Sequence, residues 1–396
     1  MRFNVASDEE IKRGGTTDIY FVRTMEVLRA KGLEGTRVVA EVTAGSLPNG
    51  WSWGVLCGID ELVHLFEGVK VNVYALPEGT IFTPVDIRGV RMPVVVIEGP
   101  YGEFCELETP LLGVLCHATG VSTAAARIRK LVPDKLLLSF GIRRMHPAIS
   151  PMIDRAAYIG GFDGVSAISG ARIIGKEPMG TMPHSLIILF GDQVKAWKAF
   201  DEVIPKNVPR VALVDTYFDE KVEAVMAAEA LGKRLWGVRL DTPPSRKGDF
   251  PEIVREVRWE LDRRGYENVK IIVSGGIGER EVSALAEAGA DGFGVGSWLS
   301  NAPTVNFAMD IVEMNGKPVA KRGKFGCKKE VWRCKRCMSY LITRSRTICP
   351  RCGGAMRTAM TQLIKNGKIV GGIDPVDEVR KRVLSQIKRL DLSPPK

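Results

Sequence analysis

Between residues 135 and 295 the chain repeats one pattern: a short apolar run that ends in polar or glycine residues, followed by apolar positions at helical spacing. The runs are 135–140, 164–168, 186–190, 210–214, 235–240, 269–273 and 292–295, and helical patterns such as 220–231 and 250–264 lie between most of them. Nearly continuous apolar strands covered by helices are what a buried parallel sheet requires. Seven runs do not complete the eight strands of a closed barrel, so the expected fold is α/β with an irregular (β/α) barrel.

The flanks have a different texture. Residues 1–112 alternate short candidate strands (36–43, 70–75, 92–98) with helices near 17–30 and 59–67, the pattern of a separate α/β layer domain. Pro77-Glu78-Gly79 marks a turn. A helix through 115–131 opens the barrel segment, 113–302. After Pro303 the pattern breaks into hairpins, with two-residue turn signals at Asn315-Gly316 and Asn366-Gly367. A last helix, 375–390, puts Val376, Val379, Val383, Ile387 and Leu390 on one face, so 303–396 is expected to end in a helix that packs back onto another domain.

Composition changes this picture in two places. The net charge of +10 points to anionic partners until it is located: residues 317–396 hold 21 Lys/Arg and 5 Asp/Glu, a net of +16, which leaves 35 against 41 for the rest. Basicity therefore belongs to the tail. Within it, Cys334, Cys337, Cys349 and Cys352 form C-x2-C-x11-C-x2-C, two knuckles able to close a tetrahedral site for structural zinc at about 330–356. Two disulfides fit a chain without an export signal less well. Four cysteines leave no open coordination position, which argues against catalytic zinc. No run reaches the roughly 18 apolar residues of a membrane helix, and MRFNVASDEE lacks a signal peptide's features, so no membrane and a cytoplasmic location are expected.

In parallel α/β folds chemistry collects where strands end. Gly275 and Gly276 follow the sixth run, and Gly294, Gly296 and Ser297 close the seventh, two turns whose backbone N–H groups can approach a phosphate. Phe140 and Arg143 follow the first run, Ser166 lies in the second, His184 precedes the third, Asp215 follows the fourth, and Arg239 and Asp241 flank the end of the fifth. Each has a plainer reading: Phe140 as core, Asp215 and Asp241 as helix caps, His184 as a satisfied interior histidine. Their equivalent places in successive units favour one shared site for a planar ligand carrying phosphates.

The stretches Thr17-Asp18-Ile19-Tyr20, Glu108-Thr109, Ser139-Phe140-Gly141-Ile142-Arg143, Gly180-Thr181-Met182-Pro183-His184, Val214-Asp215-Thr216-Tyr217 and Arg239-Leu240-Asp241, with the glycine turns, resemble nicotinate phosphoribosyltransferases in order and approximate spacing. The resemblance runs over about residues 10–330, and the cysteine segment is similar to that of the short archaeal-type branch with a zinc ribbon. It implies a type II phosphoribosyltransferase that condenses nicotinate with phosphoribosyl pyrophosphate to nicotinate mononucleotide and pyrophosphate, for NAD biosynthesis. It also implies a homo-oligomer of at least two subunits with shared sites. Carried over by position, Phe140 and a neighbouring subunit's Tyr20 sandwich the pyridine ring. Arg143 pairs with the carboxylate. Asp215 and Asp241 hold ribose hydroxyls or magnesium, Arg239 meets the diphosphate, and the glycine turns hold the 5′-phosphate. His184 matches a histidine that ATP can phosphorylate in the family.

Related enzymes that use nicotinamide carry an aspartate where Ser166 stands here, although a shift of three residues would put Asp163 there. Quinolinate phosphoribosyltransferase is the rival within the class; it shares the fold and a stretch like Ala118-Thr119-Gly120-Val121-Ser122. A zinc-ribbon nucleic-acid-binding protein is the rival outside it. The tail lacks the regular aromatic interleaving of a stacking platform, which argues against that partner.

Overall fold

Six of the apolar runs form one curled, wholly parallel sheet, in the order Gly164–Val165, Leu136–Ser139, Gly292–Val295, Lys270–Ser274, Leu235–Leu240, Arg210–Leu213. The computed structural model describes residues 3–345, 347–371 and 373–390. The two outer strands do not pair with each other, so the barrel is open between them. The third expected strand, 186–190, lies in sequence between those edges and is a helix instead, His184–Phe190. Pro183 enters it in an extended conformation, Gly191 ends it with φ +65°, and Ile188, Leu189 and Phe190 are 59%, 84% and 44% exposed. An apolar run that faces outward is not an interior strand, and periodicity alone cannot separate the two.

The order of winding positions the site. After Gly164–Val165 the chain crosses to Arg210–Leu213 at the opposite edge and works back strand by strand. Gly292–Val295 thereby lies beside Leu136–Ser139, with Phe140 N–H donating to Val295 C=O at 2.8 Å. The last glycine turn and the first strand end become neighbours.

Residues 124–302 make up this compact unit, and residues 1–123 with 303–396 make up the other. The latter is built on a seven-stranded antiparallel sheet ordered Lys317–Pro318, Phe307–Met314, Arg37–Ala44, Pro93–Pro100, Asn72–Ala75, Thr361–Lys365, Lys368–Ile369. Three strands from residues 37–100 form its middle, flanked on each side by two strands from residues 307–369. The expected turns form: Asn315 and Gly316 have φ +49° and +76°, Asn366 and Gly367 have +46° and +79°, the paired left-handed conformations of a tight hairpin. Helix Val376–Ile387 packs onto the 79–82 segment of the same unit, where Gln386 accepts from Ile81 N–H at 3.2 Å and donates to Gly79 C=O at 2.9 Å.

One helix passes a length and hydropathy test for a membrane span without being one. Residues Cys105–Leu131, mostly the 24-residue helix Glu108–Leu131, are long and apolar enough to cross a bilayer, but 72% of that window is buried in the protein. Its hydroxyls serve the fold: Ser122 donates to Val55 C=O at 2.8 Å, and Thr123 accepts from Val55 N–H at 2.9 Å. It is a core helix.

The ribbon is a three-stranded sheet, Tyr340–Ile342, Val331–Cys334 and Met356–Thr358. Tyr340 OH donates to Ile81 C=O at 2.6 Å and Asp86 accepts from Ile342 N–H at 3.0 Å, so the ribbon is fastened to the first unit's own turns.

Candidate active site

The C-terminal ends of the parallel strands surround a cavity of about 350 Å³ in the second unit. Phe140, Arg143, Ser166, Arg239 and Asp241 line it, together with both glycine turns: Gly275, Gly276, Gly294, Gly296 and Ser297. The structure therefore brings together ten of the residues singled out in sequence.

Phe140 is half-buried and stands over Gly294, where a Cβ would lie 2.4 Å from the ring. Only glycine leaves room for an aromatic face at that strand end. Gly275 and Gly276 have φ +82° and +67°, which a side chain disfavours, and their N–H groups are free of a Cβ screen. Arg239 sits over the Phe140 ring at 5.9 Å and 3.5 Å from the Asp241 carboxylate. Its Nε is buried without a hydrogen-bond partner among the described residues.

The acidic pair is organised by the backbone. Asp215 Oδ2 accepts from Asp241 N–H at 3.0 Å, and Ser274 donates to Asp241 Oδ1 at 2.7 Å. Asp215 Oδ1 is buried and has no hydrogen-bond donor among the described residues. Burial, then the Asp241 charge, pushes the Asp215 carboxyl up to about 7. An unsatisfied buried oxygen beside a second carboxylate suits a cation or ligand hydroxyls. Neither aspartate caps a helix; Asp219 and Asp249 do that for the following helices.

His184 joins the group from its helix: Nδ1 is 3.1 Å from Thr216 Oγ1, and Nε2 is 3.7 Å from Asp215 and 3.9 Å from Asp241. Burial holds its imidazolium below the ordinary range, against the raising effect of Asp241. Glu223, fully buried, accepts the N–H groups of Thr216, Tyr217 and Phe218 and so fixes the loop that carries Asp215.

Ser166 and Asp163 occupy opposite ends of their strand. Ser166 lines the cavity, whereas the Asp163 carboxylate pairs with Arg129 at 2.5 Å and accepts Leu137 N–H at 3.0 Å. Of the two, Ser166 is the one at the cavity. Tyr20 lies in the first unit on helix Ile19–Ala30, 56% exposed. Sequence reasoning passed over Lys247, whose Nζ donates to Gly275 C=O at the first glycine turn. The signal was present: Arg246 and Lys247 sit in the loop that follows Asp241.

The four ribbon cysteines converge, with all Sγ atoms within 4.8 Å of one another. Cys334 and Cys352 are 3.5 Å apart, as are Cys337 and Cys349. Arg336 and Cys337 N–H groups point at Cys334 Sγ, at 3.3 and 3.5 Å. A tetrahedron of Zn–S bonds of about 2.3 Å has edges of roughly 3.8 Å, so the cluster could hold a zinc ion.

Residues 18–119 match the N-terminal domain of quinolinate phosphoribosyl transferase and residues 121–310 its C-terminal domain. The crystal structure of nicotinate-nucleotide pyrophosphorylase from Pyrococcus furiosus superposes with a TM-score of 0.94, at 53% identity over 98% of both chains. The nicotinate phosphoribosyltransferase pncB1 of Mycobacterium tuberculosis is 29% identical over 360 residues, 82% of this chain and 79% of that one. Human nicotinic acid phosphoribosyltransferase shares the fold, with a TM-score of 0.77 at 19% identity over 95% of this chain and 94% of that one. An open parallel half-barrel that matches both domains of this family makes the chain a phosphoribosyltransferase. The chain belongs to the quinolinate and nicotinate phosphoribosyltransferase family.

Proposed function

We propose that the protein is a nicotinate phosphoribosyltransferase of NAD biosynthesis, joining nicotinate and phosphoribosyl pyrophosphate into nicotinate mononucleotide with release of pyrophosphate. The observation that carries this is the placement of Arg239, which stands over the aromatic face of Phe140 and beside the carboxylate of Asp241 at once. A ring-binding end and a diphosphate-binding end thus meet in one cavity.

The pyridine nitrogen forms a bond to the anomeric carbon as the bond from that carbon to the pyrophosphate oxygen breaks. The ring nitrogen carries no proton to remove, so no strong base is required; alignment and charge stabilisation of the leaving group do the work. Phe140 supplies one stacking face and Arg143 a planar pair of donors for the carboxylate. Arg239 faces the departing diphosphate, while Gly275, Gly276, Gly294, Gly296 and Ser297 receive the 5′-phosphate on backbone N–H groups. Asp215 and Asp241 fit a magnesium ion, which when bound would neutralise diphosphate charge. Ser166 presents no charge to repel a carboxylate. Tyr20 supplies the second stacking face from a neighbouring subunit, its exposure being compatible with that. His184, kept neutral by burial and open on one side, suits transient phosphorylation by ATP. Structural zinc belongs in the ribbon.

Purified protein given magnesium, phosphoribosyl pyrophosphate and each pyridine acid in turn tests the assignment by mass spectrometry. Nicotinate should be consumed, and nicotinamide and quinolinate should not. Turnover of quinolinate alone, with loss of carbon dioxide, would overturn it.

A further inference from the structure

A second cavity, of about 190 Å³, lies within the first unit and has no part in the chemistry above. It forms where the basic 321–329 loop crosses the antiparallel sheet. On the sheet side Glu41 and Asp310 are cross-strand partners, 2% and 7% exposed. On the loop side Lys324 and Lys329 line it, and Arg91 and Thr43 complete the wall. Part of the basic tail is thus turned inward.

Both carboxylates are ion-paired, although Asp310 Oδ2, beside the Lys324 ammonium, has no aligned hydrogen bond among the described residues. Glu41 takes the backbone N–H of Lys329 at 3.0 Å and its ammonium at 2.6 Å. Asp310 takes Lys321 and Lys324, each at 2.6 Å. Lys329 spends its other protons on Phe325 and Cys327 carbonyls, at 3.0 and 3.5 Å.

What remains free is a set of donors. Arg91 gives one terminal nitrogen to the Ala44 and Gly45 carbonyls at 3.0 and 2.7 Å, and its other nitrogens have no partner among the described residues. Lys324 has Asp310 as its sole side-chain partner among those residues. Thr43, 6% exposed, has a buried hydroxyl with no hydrogen-bond partner among the described residues. The lining carries three cations, Arg91, Lys324 and Lys329, against two carboxylates, a net of +1. Unused donors and surplus positive charge around a partly enclosed space are complementary to an anion.

We infer that this cavity binds a small anion, a carboxylate or a phosphate, held by Thr43, Arg91 and Lys324. Its volume exceeds that of a cavity of about 150 Å³ that takes benzene, so it accommodates a phosphate with its waters or a carboxylate on one ring. Phe325, 66% exposed, forms a wall on the solvent side and offers a ring carboxylate an aromatic contact.

Crystals of the full chain soaked separately in selenate and in 4-bromobenzoate distinguish the two sources. The expected result is anomalous density between Thr43 Oγ1, Arg91 and Lys324, from selenate if the site takes phosphate and from bromine if it takes a carboxylate. In solution, Arg91→Gln and the near-isosteric Thr43→Val should each weaken that class of anion roughly tenfold or more, as lost charged or buried hydrogen bonds do. Having both variants guards against one that misfolds. Density confined to the catalytic cavity or absent from both, or unchanged affinity in the folded variants, would overturn the inference and leave a loop clamp of purely structural purpose.

Discussion

Asp215 turns one carboxylate oxygen to the backbone N–H of Asp241 at 3.0 Å and leaves the other buried with no donor among the described residues. The pair is held at fixed spacing by the main chain and is costly to ionise when the site is empty.

That cost has a pH signature. Asp215 titrates at about 7 in the folded protein against an ordinary 3.8. The folded state therefore binds the proton more tightly than the unfolded chain, and this group's contribution to stability falls as pH rises from about 4 to about 7. Asp215→Asn should raise the apparent melting temperature of the ligand-free protein at pH 8 by a few degrees, with the difference closing by pH 4. Magnesium should stabilise the parent more than the variant, and turnover should fall at least about 100-fold. Thermal melts across pH with and without the ion check each part.

Gly294→Ala places a methyl carbon 2.4 Å from the Phe140 ring, which must move. Displacing a binding face by about 1 Å should lower kcat/KM for nicotinate roughly 10- to 100-fold. Phe140→Ala removes the obstacle, so the double variant should be less impaired than the product of the single effects. Steady-state kinetics of the four proteins decide this.

Arg143→Lys keeps the charge and loses the two-pronged donor geometry. The KM for nicotinate should rise about tenfold while the KM for phosphoribosyl pyrophosphate changes little. Equal increases in both would remove Arg143 from the carboxylate end.

Ser166→Asp would place a carboxylate in the cavity, since Ser166 lines it and Asp163 is engaged elsewhere by Arg129. Nicotinate turnover should fall and nicotinamide turnover should become measurable. A competition assay with both pyridines reads the ratio directly.

Cys349→Ser should lower bound zinc below about one per chain and lower the melting temperature before it lowers activity. Metal analysis, calorimetry and turnover on the same preparation separate these effects.

Much of this was readable in the sequence, for identifiable reasons. Strand ends are marked by abrupt changes from apolar to polar residues, so Phe140, Asp215, Arg239 and Asp241 could be grouped before any contact was known. The 186–190 run misled because its five apolar residues look the same whether they enter a sheet or cover an outward helix face. Pro183 and Gly191, one at each end, were the better guides. Glu223 was hidden for the opposite reason: a glutamate in a helical pattern reads as solvated, and nothing local shows three backbone N–H groups converging on it. Lys247 was hidden because its loop has no periodicity to anchor a position.

The interleaving of the antiparallel sheet sets the order of events during synthesis. Residues 124–302 form their sheet from one continuous stretch and can complete it as they leave the ribosome. Strand Arg37–Ala44 must wait for Phe307–Met314, and Asn72–Ala75 for Thr361–Lys365, so these strands are completed only after residues 124–302 have been made. Until residues 307–314 and 361–365 have been made, those strands each keep an open edge, exposed to pairing with another nascent copy.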